Sequence, residues 1–540
     1  MRIYATASII LSLLAACASA PPYHTGASLS DDEITACLSV YNETDQLLIA
    51  AKTPSGGGDP EPKDPQKISE AISSSMNTHQ SCWQSSWEHH TNYDLFFSEY
   101  DDEGWSADTR DSSSRPTRRS QMDLLFKQLD NFAQAEQPLD IVIFTHGWHG
   151  SPQPESWYAV EFRSFLEQLA QLEIKESHTK SSTTSAILGG RPRRVVGIYV
   201  GWRGDSALFP NKIVSVWDRK LTAEIVSVGA VQGLFARMRR YYLSNGCHVS
   251  NSRIEGTPSK CGQVRMLTIG HSYGALIDFR SLFPDMEIGL GFDDGGRVHS
   301  FGDLVVLLNP AFEGTRYHPL FQDAMQRGNY VDASDLIKYP AGAQLPVLIT
   351  LQSTGDVATG KGFPLFRHVT TTFEDPRGEQ EKDQNIHAIG WIDDFVTHRL
   401  CLDSEDVKIG NIKRDSIGTC VGNAVQFRDS CDSDANPYRC RNKLWAADHY
   451  AKVGKFGEDP LFVGSGMWLV PSGNPGHASI PDYFPYWDVR VDTDIMKDHD
   501  DIWNNRVNSV ILQFYWSTVA QADSAAARVR ESARGSAPKN

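Results

Sequence analysis

The sequence predicts an α/β domain in which a largely parallel sheet is covered by helices on both faces. Two observations carry this expectation. Several short runs are almost unbroken Val, Ile, Leu and Phe, the pattern of strands buried on both faces: LDIVIFTHG (139–147), RRVVGIYVG (193–201), VRMLTIG (264–270), DLVVLLNP (303–310) and PVLITLQ (346–352). Between them lie segments with apolar residues at helical spacing, such as QMDLLFKQLDNFAQA (121–135) and VEFRSFLEQLAQLEI (160–174), which is how a crossover helix reads.

Taken from the N-terminus, MRIYATASIILSLLAACASAPP has one positive residue, Arg2, before an apolar core that ends in small residues. It is too short for a stable transmembrane anchor, and residues 1–20 read as an export signal. Two processing sites compete. Leu14-Ala15-Ala16-Cys17 resembles a bacterial lipoprotein box, in which Cys17 would be acylated. Ala18-Ser19-Ala20 suits an ordinary signal peptidase, although Pro21 and Pro22 count against that cut. The expected address is the cell envelope, as a lipoprotein touching the membrane only through its lipid. A periplasmic or secreted soluble protein is the alternative.

Residues 21–90 form an N-terminal extension, helical over 28–52 and then broken by PSGGGDPEPKDP (54–65). The α/β core spans 91–360. It opens with the strand YDLFFSEY (93–100) and includes a long helical stretch over about 214–240. Residues 361–480 interrupt the alternation with Gly-, Asp-, Asn- and Cys-rich sequence, and read as an insertion or cap-like region before the last strand. The pattern resumes at YFPYWDVRV (483–491). Residues 481–525 then supply the last strand and a C-terminal helix, with a loose tail at 526–540.

The chain has 540 residues, 40% of them hydrophobic, which is ample for a large core. Its net charge of -16 argues against a nucleic-acid partner, since no basic surface is on offer to neutralise phosphates. Besides Cys17, the cysteines are Cys37, Cys82, Cys247, Cys261, Cys401, Cys420, Cys431 and Cys440. An even number in an exported chain points to disulfides. Cys247 and Cys261 bracket a polar segment whose closure would tether the loop before the strand at 264. Cys420, Cys431 and Cys440 lie in a stretch too poor in apolar residues to fold without ties. Zinc is the rival reading, but no paired C-x-x-C spacing supports it.

The chemistry is concentrated in LTIGHSYGALI (267–277). An apolar strand runs into Gly270-His271-Ser272-Tyr273-Gly274 and then into a helix-compatible segment, the strand–turn–helix context that G-x-S-x-G requires. The two glycines follow from crowding: a side chain at either would strike the adjoining strand or helix, and the tight turn needs their freedom. On these residues, on the upstream Thr145-His146-Gly147-Trp148, and on the order of the residues below, the chain resembles the α/β-hydrolase superfamily, specifically its esterase-like serine hydrolases. The resemblance covers most of residues 90–520. It implies the α/β-hydrolase fold, with a mostly parallel sheet of about eight strands and the chain order serine, acid, histidine.

Attack by a serine on a carbonyl needs fixed donors for the oxygen that becomes negative. Tyr273 N–H would be one. By resemblance, Trp148 N–H in the loop after strand 139–145 would be the other. The serine needs an imidazole, and the imidazole an acceptor on its other nitrogen. Asp356 stands in a Ser-Thr-Gly-Asp turn just after the strand at 346–352, ahead of rivals Asp383, Asp393 and Asp394. His499 follows the last strand, ahead of rivals His387 and His398, with Asp498, Asp500 and Asp501 around it. His146 reads as a residue tying its loop together, and His149 as facing substrate or water. Neither makes a convincing metal site, and no metal or cofactor is expected. His149, Trp202 and Arg203 are candidates for a substrate pocket, although for Arg203 pairing with a loop carboxylate is the preferred reading. Asn309 would fasten neighbouring loops. Trp148, Trp202 and Phe312 at one edge point to a small-molecule ester with an apolar acyl or aromatic group.

The expected function is therefore cleavage of carboxylic esters through an acyl-enzyme. An amidase, peptidase or acyltransferase on the same residues is an alternative, and so is a non-catalytic envelope binding protein that retains the fold.

Overall fold

The computed structural model describes residues 22–25, 29–52, 65–110, 116–178, 188–204, 212–249, 254–291, 297–299, 301–330, 344–402, 436–438, 440, 461–472 and 480–535. Cys17, both processing sites, residues 54–64 of the expected break, Cys420 and Cys431 lie outside them.

Strands β1 (Trp87–His89) and β2 (Tyr93–Glu99) are followed by an antiparallel pair, β3 (Asp108–Arg110) and β4 (Pro116–Ser120), then by β5 (Leu139–Thr145) and β6 (Arg194–Gly201). A second antiparallel pair, β7 (Cys247–Val249) and β8 (Ile254–Gly256), precedes β9 (Val264–His271), β10 (Leu304–Leu308) and β11 (Leu348–Ser353). β12 (Val396–Leu402), β13 (Leu461–Gly464), β14 (Met467–Pro471) and β15 (Tyr486–Val491) follow. One sheet takes eleven of these strands, in the order β1-β2-β6-β5-β9-β10-β11-β15-β12-β14-β13. From β2 across to β12 every neighbouring pair is parallel. β1 at one edge, and β14 and β13 at the other, pair antiparallel.

The expectation of about eight strands is thus corrected to eleven in a mixed sheet. The added strands are short edge pieces with weak apolar signals. Three of the eleven, β12, β13 and β14, come from residues 361–480, so that region contributes to the sheet itself.

The parallel strands are hydrophobic along their whole length because both faces are covered. In β5, Ile141 and Ile143 enter one core while Val142 and Phe144 enter the other. Along the chain the helices begin with α1 (Asp31–Lys52), α2 (Pro65–Thr78), α3 (Gln80–Trp83), α4 (Gln121–Gln134) and α5 (Trp157–Ser177). Next come α6 (Lys212–Val228), α7 (Ala230–Asn245), α8 (Tyr273–Leu290) and α9 (Gly314–Arg327). They end with α10 (Phe363–Thr370), α11 (Glu379–Ile386) and α12 (Asn505–Gly535). Leu125, Ala223, Leu234, Leu276 and Leu320 bring α4, α6, α7, α8 and α9 onto the first core. Phe162 and Leu166 of α5, with Val510 and Tyr515 of α12, build the second.

Two helical expectations change. The single stretch over 214–240 is broken at Gly229, where the backbone of Gly104 comes so close that a Cβ on Gly229 would stand 2.5 Å from the Gly104 carbonyl oxygen. The last helix runs on to Gly535, across residues expected to be a loose tail.

The N-terminal helices are fastened in two ways. A Cys37–Cys82 disulfide spans a sequence separation of 45 residues, a loop whose closure is worth about 4 kcal/mol on the chain-entropy account. The second fastening is ionic and buried. Arg163 of α5 grips Glu88 with two hydrogen bonds of 2.8 and 2.7 Å, and His90 lies between Glu88 and Asp45 of α1 at 3.1 and 2.8 Å. Burial opposes charge on His90, but the two carboxylates outweigh it and raise the imidazole to about 9. The expected Cys247–Cys261 disulfide is present, and Cys401 and Cys440 are each disulfide-bonded as well. Among the described residues no helix is long and apolar enough to cross a membrane.

One buried acid stands out. Asp488, opposite Thr350 in the β11–β15 ladder, is fully buried, and neither of its carboxyl oxygens has a hydrogen-bond partner among the described residues. Burial, partly opposed by Arg490, pushes it up to about 8 from an ordinary 3.8. The folded chain therefore keeps a proton that the unfolded chain releases, and stability is lost as pH rises from about 4 towards 8. In urea unfolding, Asp488→Asn is expected to gain up to about 4 kcal/mol over the parent at pH 7. Near pH 4 the gain should vanish; an equal gain at both pH values would exclude the carboxyl as its source.

Candidate active site

The turn between β9 and α8 has the geometry that crowding demands. Ser272 sits at φ 55°, ψ -120°, a conformation that costs a non-glycine residue on the order of 1–3 kcal/mol and persists only when its surroundings enforce it. They do so here. A Cβ on Gly270 would lie 2.5 Å from Asp278 Oδ2 and 2.8 Å from Ala275 Cα, and one on Gly274 would lie 2.1 Å from the Thr145 carbonyl oxygen. Neither position admits alanine without moving backbone. Asp278 adds a tie that sequence reading missed: its Oδ1 accepts the Thr145 hydroxyl at 2.6 Å, joining α8 to the end of β5.

From this turn the Ser272 hydroxyl meets His499 Nε2 at 2.9 Å, and His499 Nδ1 meets Asp356 Oδ2 at 2.8 Å. Because an ionised carboxylate can only accept, Nδ1 carries the proton and Nε2 is left as the acceptor for the serine. Asp356 stands just beyond β11. Its carboxylate also takes the Thr359 N–H at 3.0 Å, the Thr359 hydroxyl at 2.5 Å and the Gln352 amide at 3.2 Å. Burial alone would push this carboxyl up, but the hydrogen bonds and charge of His499, with Thr359, outweigh it and hold it at about 2. For His499 the signs reverse. Burial disfavours the imidazolium, but Asp356, then Asp500 and Asp498, overcome that and raise its pKa.

The loops after β5 and β6 pack around the Ser272 turn. A Cβ on Gly147 would stand 2.7 Å from Ser272 Cβ, so the segment after β5 runs directly against the serine. His146 holds that segment. Its Nδ1–H donates to the Gly147 carbonyl at 2.9 Å, its Nε2 accepts the Trp202 N–H at 3.1 Å, and the Trp202 indole donates to the His146 carbonyl at 2.7 Å. Burial pushes His146 down to about 4, so it stays neutral. Among the described residues, neither the Trp148 N–H nor the Tyr273 N–H has an intramolecular acceptor. They are the two donors expected from the sequence.

The pocket residues fare unevenly. Trp148 is half-buried with its ring 3.8 Å from that of His149, which is exposed. Trp202 and Phe312, in contrast, are buried in the core. Trp202 backs the His146 loop and Phe312 stacks on Phe279 at 4.8 Å, so neither lines an open cleft. Arg203 pairs with Asp102 at 3.4 Å. The rival residues are occupied elsewhere. Asp383 pairs with His387, Asp393 with Arg490, Asp394 accepts from Gln380, and His398 lies buried beside Thr397.

His271 is held by hydrogen bonds at both ring nitrogens. Tyr158 donates its hydroxyl to His271 Nδ1 at 2.8 Å, and Nε2–H donates to the His499 carbonyl at 2.8 Å. Ligand-type atoms of His271, His499 and Asp500 lie within 4.8 Å of one another, and each of the four imidazole nitrogens is hydrogen-bonded within the protein. Tyr158, Gln352 and Thr359 escaped the sequence reading. Only Thr359 had a local signal, as the third residue after an aspartate, where a capping bond forms.

Compared with protein-family models, with curated proteins and with solved structures, the chain matches none. The fold and the geometry of the site therefore carry the functional argument.

Proposed function

We propose that the protein is a serine hydrolase of the α/β-hydrolase type that cleaves carboxylic esters through an acyl-enzyme. The observation that carries this reading is the unbroken chain Ser272–His499–Asp356, held at 2.9 and 2.8 Å on a strained strand-to-helix turn. His499 takes the Ser272 proton as Oγ attacks the ester carbonyl. The oxygen that becomes negative meets the N–H groups of Trp148 and Tyr273. His499 then gives its proton to the departing alcohol, and water repeats the sequence to release the acid. Asp356, ionised and buried, keeps the imidazole in the tautomer that accepts at Nε2 and stabilises its protonated form.

The apolar or aromatic preference now rests on Trp148 alone among the aromatics named for the pocket. The Cys37–Cys82 and Cys247–Cys261 disulfides support an oxidising compartment. With the N-terminal signal they favour an exported protein, and Leu14-Ala15-Ala16-Cys17 favours lipid on Cys17. The decisive test is a fluorophosphonate probe on the intact protein, followed by identification of the modified peptide. Labelling at Ser272 is expected. Labelling of another serine, or none, would sink the proposal.

A further inference from the structure

Asn309 follows β10 immediately, with φ at 43°. Left-handed backbone is costly for most residues and tolerated by asparagine, and where it persists at a site it marks a constrained position. In the parallel ladder Leu308 stands opposite His271, so Asn309 is the neighbour of Ser272. The two positive-φ residues end adjacent strands, and the Ser272 N–H donates to the Leu308 carbonyl at 3.0 Å.

Every polar atom of the Asn309 amide is used. Oδ1 accepts the Ser353 N–H at 2.8 Å and the Gln352 amide at 3.3 Å, both from the end of β11, which leads to Asp356. Nδ2 donates to the carbonyls of Asp498 at 3.1 Å and His499 at 2.9 Å. This arrangement settles which end of the amide is oxygen, since donors face one side and carbonyls the other. The His499 carbonyl receives a second bond from His271, so both of its lone pairs are filled.

We infer that Asn309 is a positioning residue that fixes His499 relative to Asp356 and Ser272 by suspending the acid-bearing strand end and the base-bearing loop from one side-chain amide. The inference rests on the acyl-transfer reading above. It assigns no chemical step to Asn309. The amide acts through the His499 backbone, and its loss lets the imidazole drift from the in-line geometry that proton transfer needs.

Two variants isolate the effect. Asn309→Asp tolerates the same backbone and keeps the acceptor for Ser353, but loses both Nδ2 donors. Asn309→Gly removes the amide without strain or added charge. Each is assayed on a short-chain aryl ester at its own pH plateau, with active sites counted by exhaustive fluorophosphonate titration so that unfolded protein is not scored. Both variants should lose about 10²-fold in kcat, the scale of a misplacement near 1 Å, while KM changes by less than about twofold. The downfield proton resonance of the His499 Nδ1–H should broaden or vanish in both. A purely structural role predicts a lower melting temperature with kcat per titrated site and the resonance unchanged, and that result in either variant overturns the inference while leaving the enzyme reading intact. A parent protein that neither labels nor turns over an ester overturns the enzyme reading and the positioning role with it.

Discussion

Alanine at residue 272 should lower turnover of a short-chain aryl ester by at least about 10³-fold, the loss expected when a member of a Ser–His–Asp unit is removed. The fold should survive this change. Among the described residues the hydroxyl's one hydrogen bond is to His499, and the turn is packed closely by backbone at Gly270 and Gly274, which the substitution leaves in place. Steady-state kinetics with a parallel thermal melt separates the outcomes. A dead variant that melts with the parent supports the nucleophile, whereas one that retains activity excludes it. Because the unit acts as a whole, the double variant with His499→Ala should be little worse than either single change.

The second large effect lies in the pH profile. Only neutral His499 can take the serine proton, so kcat/KM should fall as pH drops through the pKa of this histidine. Asp356, Asp500 and Asp498 place that pKa above the ordinary 6.5. Asp356 itself, held at about 2, stays ionised over the working range and contributes no limb of its own near neutrality. Asp356→Asn should therefore act twice. It should cut the plateau by roughly 10⁴-fold through loss of the correct tautomer, and it should move the acidic limb to lower pH because the charge that favoured imidazolium is gone. Asp500→Asn, outside the hydrogen-bonded chain, should move the limb in the same direction with the plateau nearly intact. A limb that stays in place when Asp356 is neutralised would assign it to another group.

How far the sequence discloses this arrangement depends on how local the signal is. The long inner strands are legible because they are dry on both faces: β5 is buried over its whole length. The turn between β9 and α8 is legible because the steric demand of Gly270 and Gly274 is expressed within five residues. Asp356 and His499 could be placed only by order along the chain, and the fold brings them together across 143 residues. β12, in contrast, mixes His398 and Arg399 with apolar residues and follows two short 3₁₀ turns, so nothing in its own pattern separates it from irregular chain. β13 and β14 span only four and five residues on either side of a tight turn. Their membership of the sheet is decided by partners far away in the chain. Trp202 and Phe312 mislead for a related reason: a large aromatic beside a strand end suits a cleft and a core equally, and burial is a property of the assembled layers.

The position of β15 bears on how the molecule is made. Its strand is the last of the sheet to leave the ribosome, yet it lies between β11 and β12, both of which precede it. Without residues 486–491, β11 and β12 would each lack the neighbour they have in the finished sheet, and long-range parallel pairing of this kind is slow and exposed to aggregation. The segment that follows β15 carries His499. A chain halted after β14 would contain Ser272 and Asp356 without His499, so on the proposed reading the ability to cut bonds arrives only with the segment that completes the sheet.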